Sequence, residues 1–240
     1  MQMLWLSRKD IEHISRRLLR DYLKKVPQKI DHIDPADFAE KMCGLQFTFA
    51  DISEAYDAIG LTATSGVIIT IPQWDGTKLD YELDGKTAFI DQSLVAENQI
   101  GRLNFTMMHE AAHQLFWMLY PEECEVQTPR CIFRMADEHT QYPVLNWEEW
   151  QTNVLTSFLL LPKELVYRHM ADVGLKNGIS VLNRIYARKD YERFSEAAKR
   201  LGVSKTALAI RSSQLGLVGR NDLYDPYALV DIFPEKNEIA

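Results

Sequence analysis

Between Leu103 and Tyr120 the chain reads LNFTMMHEAAHQLFWMLY, and its only side chains that ionise near neutral pH are His109, Glu110 and His113. A run this apolar belongs in a core, where an unpartnered polar group costs roughly 2–7 kcal/mol. The fold must therefore bury a long helix and supply partners for three polar groups on it. At about 100° per residue, His109 and His113 fall about 40° apart on one face, with Glu110 about 100° from the first. Met107, Ala111, Leu115 and Met118 occupy the opposite side and are expected to pack inward, while Phe105, Phe116 and Trp117 flank the histidines.

Two neutral imidazoles one turn apart are a common ligand pair for zinc, and a glutamate between them is placed to act as base toward the attacking water. In a chain with 6 histidines and 17 glutamates, such an H-E-x-x-H arises by chance roughly 0.01 times. The competing reading is two core histidines with local hydrogen bonds. A catalytic zinc normally takes three protein ligands. A histidine six residues past His113 would complete the metzincin pattern, but Leu119 stands there and Phe116 replaces the glycine.

The better source of a third ligand is NWEEWQTNVLTSFLLLP, a second apolar helix whose only charges are Glu148 and Glu149. Asn146, Thr152, Asn153 and Thr156 all fall within about 60° of Glu149, forming one polar stripe, whereas Glu148 points toward Leu155 and Leu159. Glu149 is therefore the expected third ligand, with Asn153 one turn on to orient a ligating imidazole. Glu148 and His139 are the alternatives. A further alternative is that Asn146 and Glu149 form a capping box and Glu149 merely satisfies the helix start.

The motif sits in a chain of 240 residues, 46% hydrophobic and 25% charged, ordinary for a globular α+β protein with a substantial core. The start, MQMLWLSRKD, has too short an apolar run for a secretory signal, and no stretch approaches a membrane span, so a cytoplasmic location is expected. Cys43, Cys124 and Cys131 give no disulfide framework, which suits a reducing compartment.

Apolar spacing at Ile11, Ile14, Leu18, Leu19, Leu23 and Val26 predicts a first helix closed by Pro27. Asp34 as N-cap, Pro35 at the first turn and Gly44 as stop predict a second. Between Gly66 and Asp91, GVIITIP and KLDYELDGKTAFID predict a small antiparallel sheet with a hairpin turn at Asp84 and Gly85. An exposed strand there could pair with an extended peptide. Helical periodicity then runs from Arg102 to about Leu217, with breaks at 121–143 and 174–178.

RLNFTMMHEAAHQLF, followed 36 residues after His113 by EWQTNVLTSFLLLP, resembles the ImmA/IrrE family of bacterial and phage metallopeptidases. The family pattern is F-T-x-x-H-E-x-x-H, then E-x-x-A-N-x-F-A-x-x-L-L-M-P. Phe105, Thr106, His109, Glu110, His113, Glu149, Asn153, Leu160 and Pro162 match it. Thr152 replaces the usual alanine, Leu155 and Thr156 replace Phe-Ala, and the segment 120–146 is long. The likeness is specific over 102–162 and looser over IDPADFAEKMCGL and EAAKRLGVSKTALAIRSSQLGLV. It implies a mainly helical, zincin-like, gluzincin-type endopeptidase holding one zinc per chain. The implied substrate is a helix-turn-helix repressor, whose cleavage derepresses genes of a mobile element or stress response.

Such chemistry also needs a group that steadies the oxyanion; Tyr120, His139, Tyr142, Tyr167 and His169 are the candidates. The expected organisation is a peptidase domain over 1–183, a basic helix-turn-helix-like subdomain over 184–220 and an acidic tail over 221–240. The middle unit carries nine Lys or Arg against three acids, a surplus of +6 in a chain of net charge −7. Packing of that helical pair on the peptidase is the first expectation; direct DNA binding or docking of an acidic partner are its rivals. The tail is expected to be a packed or frayed terminus.

Overall fold

Capping chemistry sets the first two helices of the computed structural model, which describes residues 5–26, 29–52, 58–63, 66–72, 75–121, 130–133 and 147–227. At the start of α1 (Arg8–Lys25) the Asp10 amide donates to Ser7 Oγ and the Ser7 amide donates back to the Asp10 carboxylate. Its buried face is Ile11, Ser15, Leu19 and Tyr22, while Leu23 of the expected stripe is 48% exposed. Tyr22 takes the inward position because its hydroxyl finds a partner, donating to Asp37 at 2.6 Å. That aspartate belongs to α2 (Pro35–Cys43), which begins and ends where the sequence expects. Asp34 accepts from the amides of Ala36 and Asp37, and Gly44, at φ 67°, turns its own amide back onto the carbonyls of Ala39 and Glu40.

The β structure departs from the expected antiparallel sheet. β1 (Gln46–Ala50), β5 (Thr87–Asp91), β2 (Ala58–Thr62) and β6 (Arg130–Phe133) form one sheet in that order, with β1 and β5 parallel and the other pairs antiparallel. β3 (Val67–Pro72) and β4 (Lys78–Leu83) make a separate antiparallel hairpin. Asp84 and Gly85 do turn the chain: Asp84 accepts from the amides of Lys86 and Thr87, and Gly85 has φ 79°. They pass it from β4 to β5, which does not pair with β4, so this is not the hairpin turn expected there.

The long apolar run forms α3 (Ile100–Leu119), and from Thr106 to Trp117 every residue is buried. The helix is enclosed on all sides rather than amphipathic, packed against α2, β2 and a second buried helix, α4 (Trp147–Leu160). Its end emerges at Met118, 57% exposed and so not the core residue expected. Gln114, beside His113, donates to Thr62 Oγ1 and to the Ala63 carbonyl, 2.9 Å each, fixing the sheet to the helix.

Beyond α4 come α5 (Lys163–Asp172), β7 (Ile179–Leu182), α6 (Arg188–Arg200), α7 (Lys205–Gln214) and β8 (Val218–Asn221), with β7 and β8 parallel. Gly202, at φ 67°, and Ser204, whose Oγ accepts from the Ala207 amide, shape the expected turn between α6 and α7. Leu201, Val203 and Leu208 join the same hydrophobic core as Met108, Ala112 and Leu155. Asn104 of α3 donates to the Gly202 carbonyl at 2.8 Å. None of the described helices is long and apolar enough to cross a membrane.

Gly101 reports on that docking. A Cβ there would meet the Ser204 amide nitrogen at 2.4 Å and the Val203 carbonyl carbon at 2.6 Å, both backbone atoms. In an exposed helix, Gly→Ala gains about 0.8–1.0 kcal/mol. Here Gly101→Ala is expected to lose about 1–3 kcal/mol through overpacking, lowering Tm by about 2–10 °C. Thermal denaturation checks it, because a rise in Tm would mean that the turn is not held against α3.

Candidate metal centre

α3 and α4 lie side by side, and each presents an i, i+4 pair to the other: His109 with His113, and Glu149 with Asn153. Nε2 of His109 is 2.9 Å from Nε2 of His113 and 3.1 Å from Glu149 Oε2, and His113 Nε2 is 3.3 Å from Glu149 Oε1. One ligand atom from each residue lies within 4.8 Å of the others. Both histidines are 1% exposed and the Glu149 side chain 28%, so the cluster is buried on its histidine side.

The proton positions follow from the neighbours. His109 Nδ1 lies 3.1 Å from Asn153 Oδ1, which can only accept, so Nδ1 carries the hydrogen and Nε2 keeps its lone pair. That lone pair faces a carboxylate oxygen and a second imidazole nitrogen. If all three atoms present lone pairs, they repel unless a cation lies among them. A proton bridges one pair; a metal ion serves all three. Ligands about 2.0–2.1 Å from a tetrahedral zinc stand roughly 3.3 Å apart, close to the spacing observed. The donor set of two imidazoles and one carboxylate therefore fits a divalent metal.

Glu110 is fully buried, and neither carboxylate oxygen has a hydrogen-bond partner among the described residues. Burial, and then the charge of Glu149, push its pKa well above the ordinary 4.5. Glu149 moves the other way in the metal-free cluster: burial acts to raise its pKa, but hydrogen bonds and charge from His109 and His113, when those rings carry the extra proton, outweigh it and hold the carboxyl well below its usual range. Two neighbouring carboxyl groups are thus driven apart, as they are at acid–base sites.

Room for Glu110 comes from Gly60 in the middle of β2. A Cβ there would sit 2.5 Å from Glu110 Oε1 and 2.8 Å from Thr106 Cγ2. The strand pairing is also irregular at this point, where the β2–β6 register shifts between Ala58 and Gly60. Around the cluster, Trp117 stacks on His113 at 5.9 Å and Phe105 lies 6.3 Å from His109, while Phe116 is buried in the main core.

His109, His113, Glu149 and Asn153 are therefore together, and Glu110 is near enough to feel the charge of Glu149. The Glu148 carbonyl accepts from Thr152 Oγ1 at 2.9 Å, and Glu148 is not part of the His109, His113 and Glu149 cluster. His139, Tyr142 and the Asn146 needed for a capping box lie outside the described residues, as does Cys124. Of the other oxyanion candidates, Tyr167 donates to the Leu215 carbonyl at 3.4 Å and His169 Nε2 meets the Asp31 carbonyl at 2.6 Å. Tyr120 caps α3, its amide donating to the Phe116 carbonyl. Gly60 and Gln114 were not expected; a glycine inside AIGLT and an uncharged amide beside His113 are their only signals. Compared with models of known protein families and with curated proteins, the chain matches none.

A buried carboxyl with a raised pKa contributes stability that is full below about 4.5 and lost as pH rises through its folded value, because the folded state retains the proton longer. In metal-stripped protein at pH 8, Glu110→Gln is expected to raise Tm by at least about 2 °C, the equivalent of about 1 kcal/mol in a chain this size. The gain should shrink toward pH 5. Scanning calorimetry at both pH values checks the sign; a gain larger at pH 5 would contradict the burial argument.

Proposed function

We propose that this chain is a zinc-dependent endopeptidase and that its substrate is a helix-turn-helix transcriptional repressor. The observation that carries the first part is the convergence of His109 Nε2, His113 Nε2 and the Glu149 carboxylate, with a buried carboxylate, without a hydrogen-bond partner among the described residues, next in sequence to the first of them. The second part rests on the likeness of the two motif helices to the ImmA/IrrE peptidases.

His109, His113 and Glu149 would hold the ion, and Asn153 would keep the His109 ring turned toward it. Zinc, when bound, supplies Lewis acidity that polarises a carbonyl oxygen and makes water acidic near neutral pH. Glu110 takes the proton of the attacking water and returns it to the leaving amine. A carboxylate whose pKa is raised by burial holds a transferred proton better than an exposed one, which suits both transfers. Gly60 leaves the space in which that carboxylate can sit.

The rival reading, a DNA-binding regulator built on 184–220, draws on the α6–turn–α7 geometry. Its charge supports it less well. Arg188, Arg193, Arg200 and Arg220 each pair with a carboxylate, and Arg211 is buried over the Phe158 ring, its Nε donating to the Leu161 carbonyl.

Elemental analysis is expected to give about one zinc per chain, falling sharply in His113→Ala and Glu149→Ala. Full retention in Glu149→Ala would remove the third ligand from the account. Glu110→Gln should keep its zinc yet lose about 10²–10⁴ in rate. The decisive test is co-expression of wild type or Glu110→Gln with candidate neighbouring regulators, reading fragments by mass spectrometry. Equal cleavage by both would refute the mechanism, and salt-sensitive duplex binding without any cleavage would favour the regulator.

A further inference from the structure

We propose that Thr152 is a positioning residue for the second histidine ligand: its hydroxyl holds the hydrogen of His113 Nδ1 and so keeps Nε2 available to the metal. The inference rests on the reading of His109, His113 and Glu149 as a metal site. The motif resemblance does not supply it, since the family carries alanine at this position.

A hydroxyl has one hydrogen to give. That of Thr152 goes to the Glu148 carbonyl one turn back, 2.9 Å away, the usual bond of a threonine inside a helix. The oxygen is then left with lone pairs only, and one faces His113 Nδ1 at 3.5 Å. Toward that nitrogen Thr152 can only accept. His113 therefore places its hydrogen on Nδ1, and its Nε2 lone pair faces His109 and Glu149. Thr152 is fully buried and His113 is 1% exposed, which keeps water from competing easily for the same nitrogen. At 3.5 Å the contact is long, so its contribution lies in fixing ring orientation more than in bond strength.

Asn153 does the same for His109 through Oδ1, at 3.1 Å. Three residues within one turn and a half of α4 thus serve the ion together: Glu149 as ligand, Thr152 and Asn153 as acceptors behind the two imidazoles. Each histidine has its own acceptor, and both come from the helix that carries the third ligand. Any shift of α4 along α3 would disturb all three at once.

The test is zinc affinity by competition with a chromophoric chelator, for full-length wild type, Thr152→Val, Thr152→Ser and Thr156→Val. Valine keeps the shape and loses the acceptor; serine restores it. Thr156 is the control, a buried threonine whose hydroxyl donates to the Thr152 carbonyl at 2.8 Å in the same kind of intrahelical bond. Removing an outer partner of a ligating histidine costs about 10–100-fold in metal affinity. Thr152→Val is expected to lose about 10-fold, with Thr152→Ser and Thr156→Val close to wild type. The His113 Nδ1 proton in zinc-loaded protein should also exchange faster with solvent in Thr152→Val than in wild type. Thr152→Val binding zinc as tightly as wild type, or equal losses in Thr156→Val, would overturn the proposal while leaving the metal site intact. Wild type that binds no zinc would overturn both.

Discussion

Nitrogen and oxygen atoms of three side chains converge within 3.3 Å of one another in a site buried on its histidine side, and the two central helices are held around that convergence. His109 and His113 reach it from α3, which is enclosed over three turns, and Glu149 reaches it from α4. A metal ion bound there would cross-link the two central helices. Because a site of this kind does not exist in the unfolded chain, the affinity of a bound ion would add to the stability of the fold. The core on either side of it is built to hold the two helices in register. Gln151 of α4 accepts from the Leu6 amide at 2.7 Å, and Arg211 of α7 donates to the Leu161 carbonyl just past the end of α4.

The second constraint is Glu110, whose carboxylate has no hydrogen-bond partner among the described residues and lies against the Gly60 position of β2. A carboxylate left unpartnered and fully buried is destabilising unless something in its working state compensates it. Folded proteins keep such groups mainly where function requires them. Gly60 is the structural accommodation, a strand position where any side chain would occupy the space of the carboxylate. Helix, strand and the candidate metal-binding triad therefore share one small region, in which the pKa values of two neighbouring glutamates are displaced in opposite directions.

Much of this was legible in the sequence because its signals are local. The histidine pair, the intervening glutamate and the polar stripe of Glu149, Thr152 and Asn153 are periodicities of single helices, and the Asp34, Pro35 and Gly44 signals act within one turn. What could not be read depends on distant pairing. β2 is a short, wholly buried apolar run that lacks alternation, and β1 lies parallel to β5 across some forty residues of chain. Asp84–Gly85 carries a strong turn signal, yet turn chemistry does not say which strand the chain will meet next. Burial all round the middle of α3 hid its partners as well: the sequence pointed to one inward face, and from Thr106 to Trp117 every face is buried. Thr152 stood on the polar stripe, but its proton balance became visible only once Glu148 and His113 could be placed on either side of it.

The most direct test of the central claim is zinc-edge X-ray absorption on purified, zinc-loaded protein. The account predicts a first shell of light atoms only, with two imidazoles visible in the outer-shell scattering and distances of about 2.0–2.2 Å for nitrogen and oxygen. Loss of one imidazole in His113→Ala should leave a shell with a single histidine. A first shell containing sulfur at about 2.3 Å, or one unaltered by His113→Ala, would place the metal elsewhere and contradict it.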